Sequence, residues 1–427
     1  MKISPGKTTP EIDERMRITI IHMRYLPDLT GTGPLVAELA ADLGRLGEDV
    51  TVITSVPHYG KKPSAGMSGR RFLGGRREAG VRVVRTLAFP YGSGSVVGRA
   101  IDYGLYGLFS VAAGLAGSRP DVVLAVAPPL TAGLSGWLVA ALRGAPLVFN
   151  AQDIWPDGLV RMGKLRNGPL IRGAERLERL TYRSARRVAV LSEGMRQNLL
   201  QKGVPGGKIA VIPNWVDLDA LRTSDRGNSF RTELGLEDAF VVLFAGNIGF
   251  AAGLEVVIRA AELLRDEPNL VFLIVGEGSA KPDLMQLAQE LDLPNVRFVT
   301  SQPPHRLSEV FGAADLSLVT LRSGMGALSV PSKTMAIMAS ARPVLAAVPP
   351  DSEVRRVVLE AQAGRCIAPE DPAAMAAEII ALRNDQDRLE WFGANGRRYA
   401  GAHFGRPEIV GRYHRLLREV AAEPSGE

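Results

Sequence analysis

The chain has 427 residues, of which 46% are hydrophobic, with a formal net charge of +6 and a single cysteine, Cys366. That length and apolar content can bury two cores, so two domains are favoured over one, and one cysteine excludes an intrachain disulfide. The positive charge leaves nucleic acid, anionic lipid and phosphorylated compounds open as partners.

The first half of the chain alternates short apolar strands with helical segments. Residues 1–15 carry three acidic residues where a signal peptide needs an apolar stretch, so a disordered leader is expected there. Strands are then predicted at 17–21, 50–53, 81–85, 122–126, 147–149, 188–191 and 209–212, with an amphipathic helix at 34–46. Strands joined through a helix run parallel, because the crossover is right-handed.

The alternation restarts after a polar stretch at 224–229. Strands are predicted at 241–245, 270–275, 296–299, 316–319 and 344–347, and helices at 255–264, 282–291, 305–312, 373–382 and 387–397. The chain is therefore predicted to be an α/β protein with two Rossmann-like domains, 16–217 and 218–400, that face each other across a cleft. Ligands of such sheets bind at the loops that follow the strands.

Three loops of the second domain combine small residues with the start of a helix. The loop 246–253 is rich in glycine, Gly276-Glu277-Gly278 follows the next strand, and 330–333 reads Val-Pro-Ser-Lys. Bare amides at a helix start bind phosphate, and Lys333 can stabilise a diphosphate that gains charge as a sugar leaves. The alternative for Lys333 is a solvated lysine at a helix start.

A polar loop in the first domain follows the strand at 147–149. Asp153 and Asp157 flank a tryptophan and a proline there, an arrangement suited to binding sugar hydroxyls. The alternative for Asp153 is a helix cap or a loop brace. His22 is interpreted as a satisfied core histidine, whereas His58 lies in a loop of the cleft-facing kind and is the better candidate for contact with an acceptor.

A basic segment precedes an apolar one in the first domain. Between positions 61 and 99 nine residues are basic and Glu78 alone is acidic, and positions 100–117 then run apolar with Asp102 as their one charge. This pattern is typical of a segment that binds a membrane surface, and it is equally typical of a solvated loop followed by a buried helix. The apolar run is short and contains four glycines, which argues against a spanning helix.

Several other chemistries lack their sequence patterns. The chain has no Gly-x-x-x-x-Gly-Lys-Ser/Thr loop, no histidine and cysteine cluster at metal spacing, and no Gly-x-Ser-x-Gly elbow. The first strand–helix turn, Thr30-Gly31-Thr32-Gly33, has no third glycine at the dinucleotide spacing. A nicotinamide-dependent oxidoreductase is therefore a poor second, and neither a cofactor nor a metal is expected.

Taken together, these segments resemble the retaining glycosyltransferases of family 4, which have the GT-B architecture. The resemblance runs from Met16 to Val420 and rests on 25–33, 46–54, 211–217, 275–278 and 338–344. A narrower likeness, to bacterial enzymes of O-antigen and colanic-acid type that resemble fucosyl and N-acetylfucosaminyl transferases, rests on 128–130, 152–157, 247–249 and 330–333.

The chain departs from the usual family pattern at three places, one of which is Gln152, where a histidine is often found before Asp153. Leu328 and Ala336 stand where the family has a pair of glutamates in the donor loop. Asn247 and Ala252 stand where an arginine and a lysine usually grip the diphosphate. The cation is therefore expected from Lys333, assisted by Arg322.

The resemblance implies particular residues for each ligand. Asp153 and Lys333 are expected to be catalytic. Donor contacts are expected from Gly246, Asn247, Gly249, Gly253, Gly276, Glu277, Arg322, Pro331, Ser332 and Lys333. Acceptor contacts are expected from Gly31, Thr32, Gly33, His58 and Gln152. A helix at 407–420, in a C-terminal segment 401–427, is expected to cross back to the first domain.

The implied activity is metal-independent, retaining transfer from a UDP-linked sugar to a polyprenyl-diphosphate-linked glycan in cell-surface polysaccharide biosynthesis. The enzyme is expected in the cytoplasm, peripherally bound at the inner face of the cell membrane, without nucleic acid as a partner. Two alternatives stay open, because the glutamate pair is missing. One is a non-catalytic subunit that binds a lipid-linked glycan, and the other is a nucleotide-sugar epimerase of the same fold.

Overall fold

A computed structural model describes residues 15–28, 31–56, 76–78, 80–86, 96–154, 157, 168–326 and 332–423. The residues of the chain group into two compact units according to their contacts with one another. One holds the described residues up to Asn150, with Thr181–Arg187 and those from His414 onward, and the other holds the described residues of Ala151–Leu180 and Val188–Tyr413. The domain boundaries predicted above stay a prediction, and the predicted leader lies outside the described residues except for Arg15.

The first sheet has eight strands in the order β3-β4-β2-β1-β5-β6-β7-β8. Its strands are β1 (Arg17–Ile21), β2 (Asp49–Ser55), β3 (Arg76–Glu78), β4 (Val81–Thr86), β5 (Val122–Ala127), β6 (Leu147–Ala151), β7 (Arg187–Val190) and β8 (Ile209–Val211). Central β1 pairs in parallel with β2 and with β5, whereas edge strand β3 pairs antiparallel with β4. Short β3 was not predicted, because its three residues are all charged.

Five described helices accompany this sheet along the chain. They are α1 (Gly33–Arg45), α2 (Val96–Ala116), α3 (Thr131–Arg143), α4 (Pro169–Ser184) and α5 (Glu193–Gln201). Pro34 at the start of α1 and Gly144 at the end of α3, with φ of 62°, are typical terminal residues. Helix α2 covers the apolar segment that the sequence left open. No helix in the described ranges is long and apolar enough to cross a membrane.

The second sheet has six parallel strands in the order β11-β10-β9-β12-β13-β14. They are β9 (Phe240–Ala245), β10 (Leu270–Val275), β11 (Val296–Val299), β12 (Leu316–Thr320), β13 (Val344–Ala347) and β14 (Gly364–Ile367). This is the doubly wound order in which the winding reverses between β9 and β12, and ligands bind outside the carboxyl ends of the strands at that point. The predicted α/β class with two Rossmann-like sheets is confirmed.

Nine α-helices lie in the described residues of the second half, and those before the last pack around this sheet. They are α6 (Ser229–Glu233), α7 (Glu255–Leu263), α8 (Lys281–Glu290), α9 (Leu307–Gly312), α10 (Lys333–Ala339), α11 (Glu353–Glu360), α12 (Pro372–Arg383), α13 (Gln386–Phe404) and α14 (Arg406–Ala422). Alternate residues of β9 enter two different cores: Val241 and Leu243 face one, and Val242 and Phe244 face the other. Both faces are buried, as a parallel sheet requires.

The last helix reaches a buried carboxylate of the first unit. Glu48, at the turn between α1 and β2, accepts hydrogen bonds from Met16 N at 2.7 Å and from Arg418 Nε at 2.9 Å. The His414 ring nitrogen lies 2.6 Å from the same carboxylate. These hydrogen bonds lower the pKa of Glu48 against the opposing effect of burial. The end of α14 is therefore fastened to the first unit by charge-assisted bonds.

A buried ion pair fixes the entry of the chain into the second sheet. Arg231 is fully buried, and its guanidinium lies 3.2 Å from the carboxylate of Asp315 and donates to the carbonyl oxygens of Leu236 and Ala313. The carboxylate of Asp315 also accepts from Val241 N at 2.7 Å. Asp315 thus joins helix α6 to the starts of β9 and β12.

Removing one partner of this pair should be costly. Asp315→Ala leaves the Arg231 charge buried without a counterion, which should lower the free energy of unfolding by about 3–5 kcal/mol. Denaturant titration followed by tryptophan fluorescence measures the change. The double variant Asp315→Ala/Arg231→Met removes the stranded charge and should recover part of the loss. Equal stability of Asp315→Ala and wild type would contradict this role.

Candidate functional site

Two loops of the second sheet are joined through their backbones at the winding reversal. Ile248 N donates to Glu277 O at 2.9 Å, and Ala280 N donates to Ile248 O at 3.0 Å. A Cβ on Gly276 would lie 1.9 Å from Gly246 O, and one on Gly278 would lie 2.1 Å from Ile248 O. Gly276 and Gly278 are therefore required because the two backbones approach closely.

Lys333 lies beside this pair of loops. From the first position of α10, its Nζ sits 3.7 Å from the centroid of the Phe244 ring, and a Cβ on Gly246 would meet that Nζ at 3.7 Å. Within the described part of the chain, the ammonium has neither a carboxylate nor a hydrogen-bond acceptor. Burial lowers the pKa of Lys333 to about 7. Lys333 thus lies at a helix start, as the alternative interpretation expected, but it is partly buried against Phe244.

The loop 246–253 also offers unused donors. Gly246, Ile248, Ala252 and Gly253 each donate a backbone hydrogen bond. The amides of Asn247 and Gly249 donate to none of the described residues. The side-chain nitrogen of Asn247 lies 2.9 Å from where a Cβ of Gly249 would be. These donors and the Lys333 amine form a site that can receive an anion.

The other predicted donor contacts are placed differently. The Glu277 carboxylate is exposed and pairs with Lys281 at 2.9 Å. Arg322 pairs with Glu255 at 2.6 Å, so its charge is already balanced. Ser332 is exposed and its side chain caps no helix amide, and Pro331 lies outside the described residues.

The first-sheet loop that holds Thr32 depends on a buried histidine. His22 Nδ1 lies 3.0 Å from Val126 O, which can only accept, so Nδ1 carries the proton and Nε2 accepts from Thr32 Oγ1 at 2.8 Å. Burial lowers the pKa of His22 to about 4, so the ring is neutral near pH 7. The core interpretation of His22 is confirmed, and the ring ties Thr32 to the ends of β1 and β5.

Glycines shape the same loop at two positions. Gly31 has φ of 64°, which side chains with a Cβ rarely adopt. A Cβ on Gly33 would lie 3.3 Å from Asp28 O and from the backbone of Arg24. These glycines therefore let the chain turn tightly into α1. His58 falls outside the residues that the structure describes.

The loop after β6 separates its two aspartates into different roles. Asp153 is exposed, and its carboxylate has no hydrogen-bond partner in the described ranges. Loss of hydration nevertheless raises its pKa. Asp157 instead bonds to Lys202 Nζ at 2.9 Å and to Asn198 Nδ2 at 3.1 Å. Asp157 therefore braces the loop, and the contacts of the described residues give Asp153 no such function.

Gln152 is buried and bonded. Its Oε1 accepts from Asn214 Nδ2 at 2.9 Å, and both side chains are more than nine-tenths buried. Gln152 is thereby tied to the segment that follows β8. Its predicted role toward an acceptor stays a prediction.

Sequence reasoning missed Phe244, the platform of Lys333. An aromatic residue inside an apolar strand carries no sequence signal of contact with a cation. It also missed Lys202 and Glu178, which pair at 2.8 Å, because Glu178 lies in α4 and Lys202 follows the end of α5. Among the described residues no group of three acidic, histidine or cysteine side chains could hold a metal ion.

The chain matches two family models in succession. Residues 30–215 match the glycosyl transferase 4-like domain, and residues 226–399 match the glycosyl transferases group 1. The putative colanic acid biosynthesis glycosyl transferase WcaI of Escherichia coli K12 is 32% identical over 76% of this chain and 81% of its own length.

Solved structures share the fold over nearly the whole chain. Sucrose-phosphate synthase from Thermosynechococcus elongatus aligns with a TM-score of 0.74 at 19% identity, over 96% of this chain and all of that one. Anabaena Alr3699/HepE, in complex with UDP and glucose, aligns with a TM-score of 0.72 at 18% identity, over 95% of this chain and 100% of its own.

The amine of Lys333 should be reactive at neutral pH. With a pKa of about 7 it is half neutral there, whereas an ordinary lysine with a pKa of about 10.4 is almost entirely charged. Competitive acetylation read by mass spectrometry should give Lys333 a rate that levels off above about pH 8. Lys281, whose ammonium pairs with Glu277, is the internal control. A Lys333 rate that still rises at about pH 10 would refute the assignment.

Proposed function

We propose that this chain, which belongs to the family 4 glycosyltransferases of the GT-B fold, transfers a sugar from a nucleotide sugar to a lipid-linked glycan in surface-polysaccharide biosynthesis. The observation that carries the proposal is the Lys333 amine beside the Gly246 and Gly276 loops, which has no partner among the residues that the structure describes. Similarity to WcaI, named for colanic acid biosynthesis, supports the polysaccharide context.

The donor is proposed to be UDP-linked, and its diphosphate to bind at the loop 246–253. The amides of Asn247 and Gly249, which donate to none of the described residues, would donate to phosphate oxygens. Lys333 would balance the charge that develops when the sugar leaves. Gly253, Gly276, Glu277, Ser332 and the undescribed Pro331 belong to the proposed donor-binding set. The complex of HepE with UDP supports this choice of nucleotide. With the charge supplied by Lys333, transfer is proposed to be independent of metal.

Proton linkage follows from the pKa of Lys333. A bound diphosphate favours the charged amine and so raises its pKa above about 7. Binding near pH 8 therefore includes the uptake of a proton by Lys333. Release of the diphosphate returns this proton to solvent, so the affinity for the diphosphate should fall as the pH rises above about 7.

Transfer is proposed to retain the anomeric configuration, as the family implies, through attack on the face that the diphosphate leaves. Asp153 is proposed to act on the sugar, because an exposed carboxylate that has no partner in the described ranges can stabilise an oxocarbenium-like centre and accept hydroxyl hydrogen bonds. Acceptor contacts are assigned to Gly31, Thr32, Gly33, Gln152 and the undescribed His58. The domains 16–217 and 218–400 are proposed as acceptor-binding and donor-binding, respectively.

A lipid-linked acceptor requires access to a membrane, and one face of the first sheet suits that surface. Arg77 and Arg82 are exposed and lie directly opposite each other across β3 and β4. Two like charges directly opposite each other destabilise a sheet. Their presence here therefore supports a functional role for the two arginines. Arg82 lines a small cavity with Ala113 and Gly114 of α2, so the basic pair and that helix share one face.

Helix α2 also exposes apolar side chains. Ile101 is 48% exposed and Leu108 is 65% exposed, and they lie seven positions apart, two helical turns, on one side of the helix. A unit that exposes both basic and aliphatic side chains suits the surface of an anionic bilayer. We therefore place the protein peripherally at the inner face of the cell membrane.

Transfer is tested by incubating the protein with UDP-sugars and a lipid extract, and measuring UDP release with and without the extract. Release should depend on the extract. Lys333→Ala should slow it by roughly 2–4 kcal/mol in activation free energy, and Asp153→Asn by at least about tenfold. Lys208→Ala, at a surface turn before β8, is the control.

The alternative functions give different results in this experiment. Conversion of the sugar without an acceptor would indicate an epimerase. Binding of the lipid without UDP release from any donor would indicate a non-catalytic subunit. A folded Lys333→Ala variant that turns over normally would remove Lys333 from the mechanism.

Membrane attachment is tested by sedimentation with vesicles of phosphatidylglycerol and phosphatidylcholine. The double variant Arg77→Gln/Arg82→Gln should lose about 1 kcal/mol of binding per charge, and Leu108→Ser should lower binding further. Arg76→Gln is the matched control, because Arg76 pairs with Val83 and points to the other face of the hairpin. Wild-type protein that ignores these vesicles at low salt would overturn the assignment.

A further inference from the structure

Arg322 is held at four points beside the donor loop. Its Nε donates to Phe250 O at 2.8 Å and its backbone N donates to Ala251 O at 3.0 Å. Its NH2 group bonds to Glu255 at 2.6 Å, and its NH1 group lies 3.7 Å from Glu370. The guanidinium also stacks over the Phe250 ring, 4.3 Å from the centroid. Every polar edge of this side chain is therefore directed at the protein.

These contacts converge on one turn. Phe250 and Ala251 belong to the short 3₁₀ turn between Gly249 and Gly253. This turn connects α7 to the segment whose amides, those of Asn247 and Gly249, donate to none of the described residues. Gly253 has φ of 59°, and a Cβ there would lie 2.7 Å from Arg322 Cγ. The glycine thus lets the turn close onto the arginine, and Arg322 joins the loop after β9 to the loop after β12.

Two carboxylates hold Arg322 in place. Glu255 lies in the first turn of α7, where the helix dipole also favours an acidic side chain. Glu370 is fixed in turn by a hydrogen bond from Ser323 Oγ at 2.8 Å. One guanidinium against two carboxylates leaves the cluster with a negative charge. A phosphate would have to displace both acids before Arg322 could bind it.

We propose that Arg322 is a positioning residue of the donor site, which fixes the 249–253 turn before the ligand arrives and does not itself grip the diphosphate. This inference rests on the proposed function and reassigns the contact predicted from the sequence. Its consequence is preorganisation: the amides of Asn247 and Gly249 are held in place without a cost at the moment of binding. Charge recognition is left to Lys333.

Amide hydrogen exchange in the protein without ligand tests the brace directly. Arg322→Ala should speed exchange in peptides covering 246–254 by about tenfold, since local opening loses a charged hydrogen bond and the stacking contact. Arg322→Lys should behave similarly, because lysine keeps the charge but has no Nε–H for Phe250 O. Arg356→Ala is the matched control, because Arg356 also lies between two glutamates, Glu353 and Glu360, in the same unit. Unchanged exchange in both Arg322 variants would overturn the proposal.

UDP titration calorimetry distinguishes a positioning role of Arg322 from direct phosphate binding, because the two roles predict opposite changes in UDP affinity when its acidic partners are removed. If Arg322 braces the loop, Glu255→Gln/Glu370→Gln loosens it and weakens UDP binding several-fold. If Arg322 grips the phosphates, freeing it from its acids tightens UDP binding, which would overturn the proposal. Wild-type protein that fails to bind UDP would count against the proposed function, whereas the exchange experiment would still decide the brace.

Discussion

The proposed donor site depends on the contact between two backbones that only glycine permits. Gly246 O lies where a Cβ of Gly276 would be, and Ile248 O lies where a Cβ of Gly278 would be. Because the loops after β9 and β10 are joined in this way, the path of the chain from Phe244 to Gly249 is fixed. Lys333 contacts both the ring of Phe244 and the edge of Gly246, so its position depends on the same contact.

Charge pairing then decides which side chains near these loops can act on an anion. Lys281 is occupied by Glu277 and by Gly276 O, and Arg322 by Glu255 and Glu370. Lys333 has no such partner among the described residues, and burial makes its charged form unfavourable. An arriving diphosphate would relieve that penalty at Lys333, whereas at Arg322 it would have to compete with two acids. Lys333 is therefore better suited than Arg322 to bind the diphosphate, although its side chain carries less positive charge than Arg322 before the ligand arrives.

The sequence predicted most of the strands because their apolar runs are long enough to be read. It missed β14, in which Gly364 must accommodate Val344 O, since a glycine followed by Arg365 gives no strand pattern. Helices α3, α4 and α5 were also not predicted. Glycine-rich loops and Lys333 were found from composition and resemblance, which mark where a ligand could bind.

The roles of site residues were harder to predict, because they depend on partners distant in sequence. Glu255 lies 67 positions from Arg322, and only the fold brings them together. Asp153 and Asp157 have the same side chain four positions apart, yet Lys202 and Asn198 bind only the second. Local sequence therefore identifies residues that could contact a ligand. Their charge pairing in the fold then indicates which of them can bind an anion and which only hold a loop in place.

The same reasoning accounts for the unusual placement of charge in this member of the family. Ala252, at a position that resembles the usual lysine, is 8% exposed and packs in the core with Leu254 and Ile248. A lysine there would have to bury its charge or open the turn that Arg322 closes. A cation at the start of α10 avoids this conflict, because Lys333 approaches Gly246 from a separate element. The absence of the usual lysine is thus compatible with the turn that Arg322 contacts, which supports the proposal that Arg322 orders the loop and Lys333 supplies the charge.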